Sequence, residues 1–177
     1  MWCATRKSII SSIVSKIKQT NVGCCVSSIC ATIFLYADDI LLLAPTVTGL
    51  QHLFTVCERE LVELDMHVNV NKSMCIRFRQ RSNVQCADLS SIHGGPALKW
   101  VNSCKYLGVN FVSGRKLKCS FESAKSKFYR AFNAVYSRVG RAASEETVLA
   151  LLRAKCLPIL LYATKACPML SRDKHSL

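Results

Sequence analysis

Apolar and polar positions fall in blocks along the chain, and the period of the pattern changes from block to block. Near the start, Ile9, Ile10, Ile13, Val14 and Ile17 share one side of a helical wheel, which predicts a short basic helix over residues 1–20. Gly23 punctuates. An apolar run, CCVSSICATIFLY, then ends at Tyr36, and a second, ILLLA, fills residues 40–44, with only Ala37, Asp38 and Asp39 between them. Two apolar runs joined by a tight polar turn predict a β-hairpin with both strands substantially buried. Pro45 and Thr46 stop the second strand. From Thr48 to about Asp65, Leu50, Leu53, Phe54, Cys57, Leu61 and Leu64 recur at helical spacing, with Glu58, Arg59, Glu60 and Glu63 expected on the wet side.

Further along, two short strands are expected around His67–Val70 and Met74–Phe78, turning at Asn71. Residues 80–97 hold Ser, Asn, Gly94, Gly95 and Pro96 and read as a polar loop. Lys105–Phe111 reads as a strand broken by Gly108, since a glycine inside a strand permits a bend or a close backbone approach. Phe121, Ala124, Phe128, Ala131, Phe132, Val135 and Val139 make the apolar stripe of a helix from about Ser120 to Val139. Ser144, followed by Glu145, Glu146 and Thr147, starts a last helix, which Pro158 bends or ends near Cys156. The order α, ββ, α, βββ, αα predicts an α+β fold.

Composition narrows the partners. The chain has 177 residues, half of them apolar, with a net charge of +13. From Lys99 onward there are 15 basic against 4 acidic residues, so the excess lies mostly in the second half. A basic half suits a polyanion, nucleic acid first, although a merely solvated surface carries the same charge. The 11 cysteines are odd in number, contain no Cys-x-x-Cys pair and follow no secretory signal. They read as reduced apolar fillers, with no disulfide partner, in an intracellular protein of nucleus or cytoplasm that is not secreted. No membrane span is expected either. Gln19–Ala37 and Ile40–Cys57 are uncharged but hold Asn21, Ser27, Pro45, Gly49 and Gln51, and joining them would sink two carboxylates to membrane depth.

The sharpest chemical feature is Tyr36-Ala37-Asp38-Asp39 at the predicted hairpin turn. Adjacent carboxylates repel one another, and a hard divalent cation removes the difficulty, because Mg²⁺ prefers carboxylate oxygens and keeps waters for phosphate. Polymerases use two such ions about 4 Å apart, one activating a primer hydroxyl and one clamping the triphosphate. A turn that merely happens to hold two acids is the plainer alternative. A second feature is the stretch from Arg115 to Arg141, where Arg115, Lys116, Lys118, Lys125, Lys127, Arg130, Arg138 and Arg141 face the single Glu122, with Tyr129 and Tyr136 interleaved. Such a stretch neutralises phosphates without reading sequence.

FLYADDILLLAP (34–45) resembles the active-site motif of reverse transcriptases, specifically those of non-LTR (LINE-type) retrotransposons. Three later segments fall in that family's order. NKSMCIRF (71–78) resembles the lysine-bearing strand after the palm helix, CKYLGVNF (104–111) the primer-grip hairpin, and CLPILLYATKAC (156–167) the thumb motif. The resemblance covers about residue 20 to the end. It implies a partial palm over 21–116, an antiparallel hairpin with packed helices, followed by a thumb-like helical segment over 117–177. It further implies that Asp38 ligates catalytic Mg²⁺ or Mn²⁺, with Asp39 as a supporting ligand, and that Tyr36 and Ala37 lie near template–primer and incoming nucleotide. Lys72 is implied near the nucleotide phosphates, though an exposed lysine at a strand start reads the same way. Tyr106, Leu107 and Gly108 are implied to position the primer end, and the partners would be an RNA template and a DNA primer.

The family pattern also fails in places. A two-metal site in this family needs a further carboxylate on a strand well before the hairpin, and this chain has no Asp or Glu before Asp38. Asp65 and Asp88 lie downstream and are not expected to substitute, and Lys165 stands where the family usually has an acid. The expectation is therefore the back half of a retrotransposon polymerase, from a truncated copy, holding its ion weakly and inactive alone. A non-enzymatic nucleic-acid-binding remnant, or a degenerate reading frame without selected function, stays open beside it.

Overall fold

Helix α2 (Val47–Val62) organises the first part of the molecule. Thr46 caps it with extended backbone, its hydroxyl accepting the Gly49 N–H at 3.0 Å, which satisfies one of the amides a helix start leaves free. The computed structural model describes residues 2–26, 29–79, 84–140, 142–164 and 167. The chain mixes helix and strand and divides into two compact units, 1–75 with 84–100, and 76–83 with 101–177.

In the first unit α2 buries two apolar faces. Leu53, Cys57 and Leu61 pack on Ile13 and Ile17 of helix α1 (Trp2–Gln19) and on Ile33, Ile40 and Leu42 of the hairpin strands. Phe54 instead packs on Cys75, Leu89 and Leu98. Leu53 is wholly inaccessible, and a leucine so buried contributes about 2 kcal/mol by transfer alone.

Glu58 and Glu60, expected on the wet side of α2, are 2% and 4% exposed. Each is buried because it has partners. Glu58 accepts the Ser91 hydroxyl at 2.6 Å and the Ile92 N–H at 3.0 Å, while Glu60 accepts the Ser12 hydroxyl at 2.9 Å and pairs with the Lys16 ammonium. Gln51 adds a two-way clamp on the Ser90 backbone, donating to its carbonyl and accepting from its N–H, both at 2.9 Å. Together these bonds lay the polar 84–97 segment along α2. Burial, then the charges of Glu58 and Glu60, push the Cys57 thiol up to about 11.

The long apolar run before Tyr36 is not one strand. It forms a small antiparallel pair, β1 (Cys25–Val26) and β2 (Ile29–Cys30), and then β3 (Ile33–Tyr36). β3 pairs antiparallel with β4 (Asp39–Leu42) in the register Ile33↔Leu42, Phe34↔Leu41, Leu35↔Ile40 and Tyr36↔Asp39. The expectation of two substantially buried strands does not hold. β3 and β4 make a two-stranded sheet, so alternation leaves one face of β3 uncovered, with Phe34 and Tyr36 exposed. Residues 67–70 are not a strand, because the Asn69 carbonyl and side chain take the Lys72 N–H and turn the chain there. β5 (Met74–Ile76) pairs instead with β6 (Lys99–Val101), to which no predicted element corresponds.

The second unit holds a three-stranded antiparallel sheet of β7 (Ser103–Tyr106), β8 (Val109–Val112) and β9 (Lys118–Ser120). The predicted strand broken at Gly108 is thus two strands and a turn. Helix α3 (Glu122–Val139) follows, with Phe128, Phe132 and Tyr136 stacked at centroid distances of 6.4 and 5.7 Å. Ser144 caps α4 (Glu145–Leu151) as expected. The helix does not end on reaching Pro158. It widens into a π-turn over 152–156, in which the Leu157 N–H reaches back to the Leu152 carbonyl, and continues as α5 (Leu157–Thr164). Proline lacks the amide that an α-turn would need there, and the wider turn absorbs that defect. Cys119 and Cys167 are joined as a disulfide, which corrects the reading of every thiol as reduced. Their Cα atoms lie 6.1 Å apart, a spacing suited to such a bond, and cysteine spacing in a sequence does not reveal pairing.

The packing makes a contrast testable by urea denaturation. Leu53→Ala should cost about 3 kcal/mol of stability, whereas Phe34→Ala on the open face should cost less than about 1 kcal/mol. Equal losses would contradict the one-sided burial of the hairpin.

Candidate catalytic hairpin and nucleic-acid surface

The β3–β4 turn is as tight as a hairpin allows, with Tyr36 facing Asp39 and only Ala37 and Asp38 between. Ala37 has φ +52°, the left-handed backbone that matches a two-residue turn to the twist of its strands. The tightness brings Asp38, at the turn, and Asp39, at the first position of β4, together at one end of the hairpin. Both are exposed, as are Tyr36 and Ala37. The apolar anchoring lies at the opposite side, where Ile33, Ile40 and Leu42 sit against the α1–α2 core.

The donor set suits a hard divalent cation in kind, since it consists of adjacent, accessible carboxylate oxygens. It is short in number. Among the described residues no cluster of three or more His, Cys, Asp or Glu side chains is placed to hold a metal. Lys72 lies on a separate turn of the same unit, its amide hydrogen-bonded to Asn69 and its side chain exposed.

Tyr106, Leu107 and Gly108 come together in the second unit. Tyr106 faces Val109, and Leu107 and Gly108 form the turn between them, with φ +46° and +82°. Left-handed backbone at both central positions is the geometry of a type I′ turn, in which glycine is favoured and leucine is unusual. Tyr162 of α5 donates its hydroxyl to the Leu107 carbonyl at 3.1 Å. Nothing in the local sequence pattern marks Tyr162. Glu58, also missed, did carry a signal, since it lies four residues from Phe54 and three from Leu61 on a face already apolar.

The basic stretch divides in space. Arg115 and Lys116 lie between β8 and β9, Lys118 opens β9, and all three are exposed. On α3, at about 100° per residue, Lys127, Arg130 and Arg138 occupy one flank of the apolar stripe. Lys125 falls on the other flank with Tyr129 and Tyr136. The interleaving visible in the sequence is therefore not one mixed face but a flank of three cations and a flank of two tyrosines with a single lysine. Arg141 and Lys165 lie outside the described residues. No helix among the described residues is long and apolar enough to cross a membrane.

Residues 6–111 match the family model described as reverse transcriptase (RNA-dependent DNA polymerase). The match takes in most of α1, the β3–β4 hairpin and the 106–108 turn, and it ends within β8. A curated relative, the retrovirus-related Pol polyprotein of a type-2 retrotransposable element of Drosophila melanogaster, is 27% identical over 107 residues. That alignment covers 57% of this chain and 10% of the relative, so the chain spans a small part of that polyprotein. No solved structure matches. The hairpin of Asp38 and Asp39 and the turn at 106–108 both fall inside the matched span, and the chain belongs to the reverse transcriptase family, with a relative among the non-LTR elements.

Proposed function

We propose that this chain supplies the metal-holding hairpin and primer-contacting parts of an RNA-directed DNA polymerase of a non-LTR element, and does not copy RNA unaided. One observation carries the reading: two exposed adjacent carboxylates at the turn end of one hairpin, Asp38 in the turn and Asp39 opening β4, within the span that matches the family. Asp38 and Asp39 would hold Mg²⁺ or Mn²⁺, which when bound polarises a primer hydroxyl and offsets triphosphate charge. Tyr36 and Ala37 border that end and suit contact with template–primer and incoming nucleotide. Lys72, exposed on its own turn, suits a nucleotide phosphate. The Tyr106–Gly108 turn suits the primer end.

We assign the palm part to residues 21–116 and a thumb-like part to 117–177, with the basic helix over 1–20 before them. The exposed cations Arg115, Lys116, Lys118, Lys127, Arg130 and Arg138 would follow the nucleic-acid backbone, Lys125 and Arg141 (the latter outside the described residues) would add to their charge, and the partners are an RNA template and a DNA primer. An intracellular site, nuclear or cytoplasmic, follows from those partners. A second reading, binding without catalysis, is favoured by the lack, among the described residues, of a third metal-ligating side chain grouped with Asp38 and Asp39.

Primer extension separates the two. Supplied with Mg²⁺, a primed RNA template and deoxynucleotides, the chain should give no product above background, because two carboxylates do not complete a two-ion site. Extension that vanishes in Asp38→Ala would show that the site is complete as it stands.

Binding is expected regardless of catalysis, and its salt dependence is the measurement. Affinity for primer–template should fall steeply with salt. Lys127→Gln/Arg130→Gln/Arg138→Gln should flatten the logarithmic slope by up to about one unit for each phosphate no longer neutralised. An unchanged slope would remove this flank of α3 from the binding surface.

A further inference from the structure

The contact between Tyr162 and the Leu107–Gly108 turn reaches beyond the roles given above. We infer that Tyr162 is a positioning residue for the primer end, acting through the turn; the inference rests on the primer-contacting role proposed for that turn. Two independent features of one side chain meet there. The hydroxyl of Tyr162 donates to the Leu107 carbonyl at 3.1 Å. Its ring lies over the next residue, so closely that a β-carbon placed on Gly108 would come within 3.2 Å of the ring edge. The two partners are 55 residues apart in sequence, so this is a tertiary contact.

Core packing does not account for this arrangement. Tyr162 is 62% exposed, and the turn it touches is exposed as well. A tyrosine this open gains little from burial, and what it does offer is a directed hydroxyl and a flat wall. Leu107 needs such a constraint, because leucine rarely adopts φ near +46°, and a backbone of that kind persists where its surroundings determine it. Gly108 needs room on the side where the ring stands, which gives that position a second reason to be glycine besides its own φ of +82°. The helix that delivers Tyr162 is itself set by a local device. The π-turn over 152–156 advances the chain by one extra residue before α5, and an added residue rotates everything after it by about 100° around the helix axis. Without that widening Tyr162 would be carried away from the turn.

The test uses the whole chain bound to a primer–template whose primer carries 2-aminopurine at its 3′ end. Overall affinity is read by anisotropy and the state of the primer end by 2-aminopurine fluorescence. Tyr162→Phe keeps the ring and removes the hydroxyl. It should change affinity and thermal midpoint by little, less than twofold in affinity, while at least halving the fluorescence change at the primer end and shifting the Gly108 amide resonance. Gly108→Ala, which crowds the ring and strains a backbone at φ +82°, should lose the fluorescence change as well. An unaltered fluorescence change in Tyr162→Phe, with binding intact, would overturn the positioning role and leave the primer-contacting role of the turn standing. If neither the parent chain nor Gly108→Ala gives any primer-end signal while both bind, the role of the turn fails, and the inference built on it fails too.

Discussion

The first unit depends on helix α2 being buried on two sides at once. Leu53, Cys57 and Leu61 close one side against α1 and the hairpin, and Phe54 closes the other against Cys75, Leu89 and Leu98. A helix so enclosed has few wet positions left, and Glu58 and Glu60 fall among the buried ones. Burying a carboxylate is tolerated only when hydrogen bonds and charge replace its water. Here the replacements come from elements that would otherwise be free to drift. Ser12 and Lys16 are thereby fixed on α1, and Ser91 and Ile92 in the polar segment. The two acids thus turn a solvation penalty into a means of fixing where α1 and the 84–97 segment lie.

That enclosure explains the hairpin. Its inward residues Ile33, Ile40 and Leu42 are held by the α1–α2 core, and its outward residues are open, so the turn carrying Asp38 and Asp39 is fixed from one side only. A two-stranded sheet leaves backbone groups on its edges and an exposed Phe34 and Tyr36. The same openness keeps both carboxylates accessible to an ion and its ligands.

Much of this was legible in the sequence, and the failures have specific causes. The turn at Asp38 was readable because two apolar runs left it no alternative, and α2 and α3 were readable because their apolar residues keep helical spacing over several turns. Charge in a sequence suggests exposure, yet Glu58 and Glu60 sit inside because each has partners. The run from Cys24 to Tyr36 broke into three short strands because continuous apolarity carries no register. Residues 67–70 lost their strand to a local hydrogen bond of Asn69, which competes with sheet pairing. The Cys119–Cys167 bond and the Tyr162 contact join residues 48 and 55 positions apart, and no local pattern reports such pairs. On α3 the letters interleave Lys, Arg and Tyr, yet the helical repeat separates them onto two flanks.

The ion site proposed at Asp38 and Asp39 has only two adjacent carboxylates to offer. Ligand number and charge set affinity for a hard cation, so the expected strength is millimolar, roughly 4 kcal/mol, with Mn²⁺ bound more tightly than Mg²⁺. Paramagnetic broadening of backbone amide signals by Mn²⁺ measures this directly. The broadening should centre on residues 36–40 and disappear in Asp38→Asn/Asp39→Asn. Broadening centred on Glu58–Asp65 instead, or unaffected by the double substitution, would contradict an ion site at the hairpin.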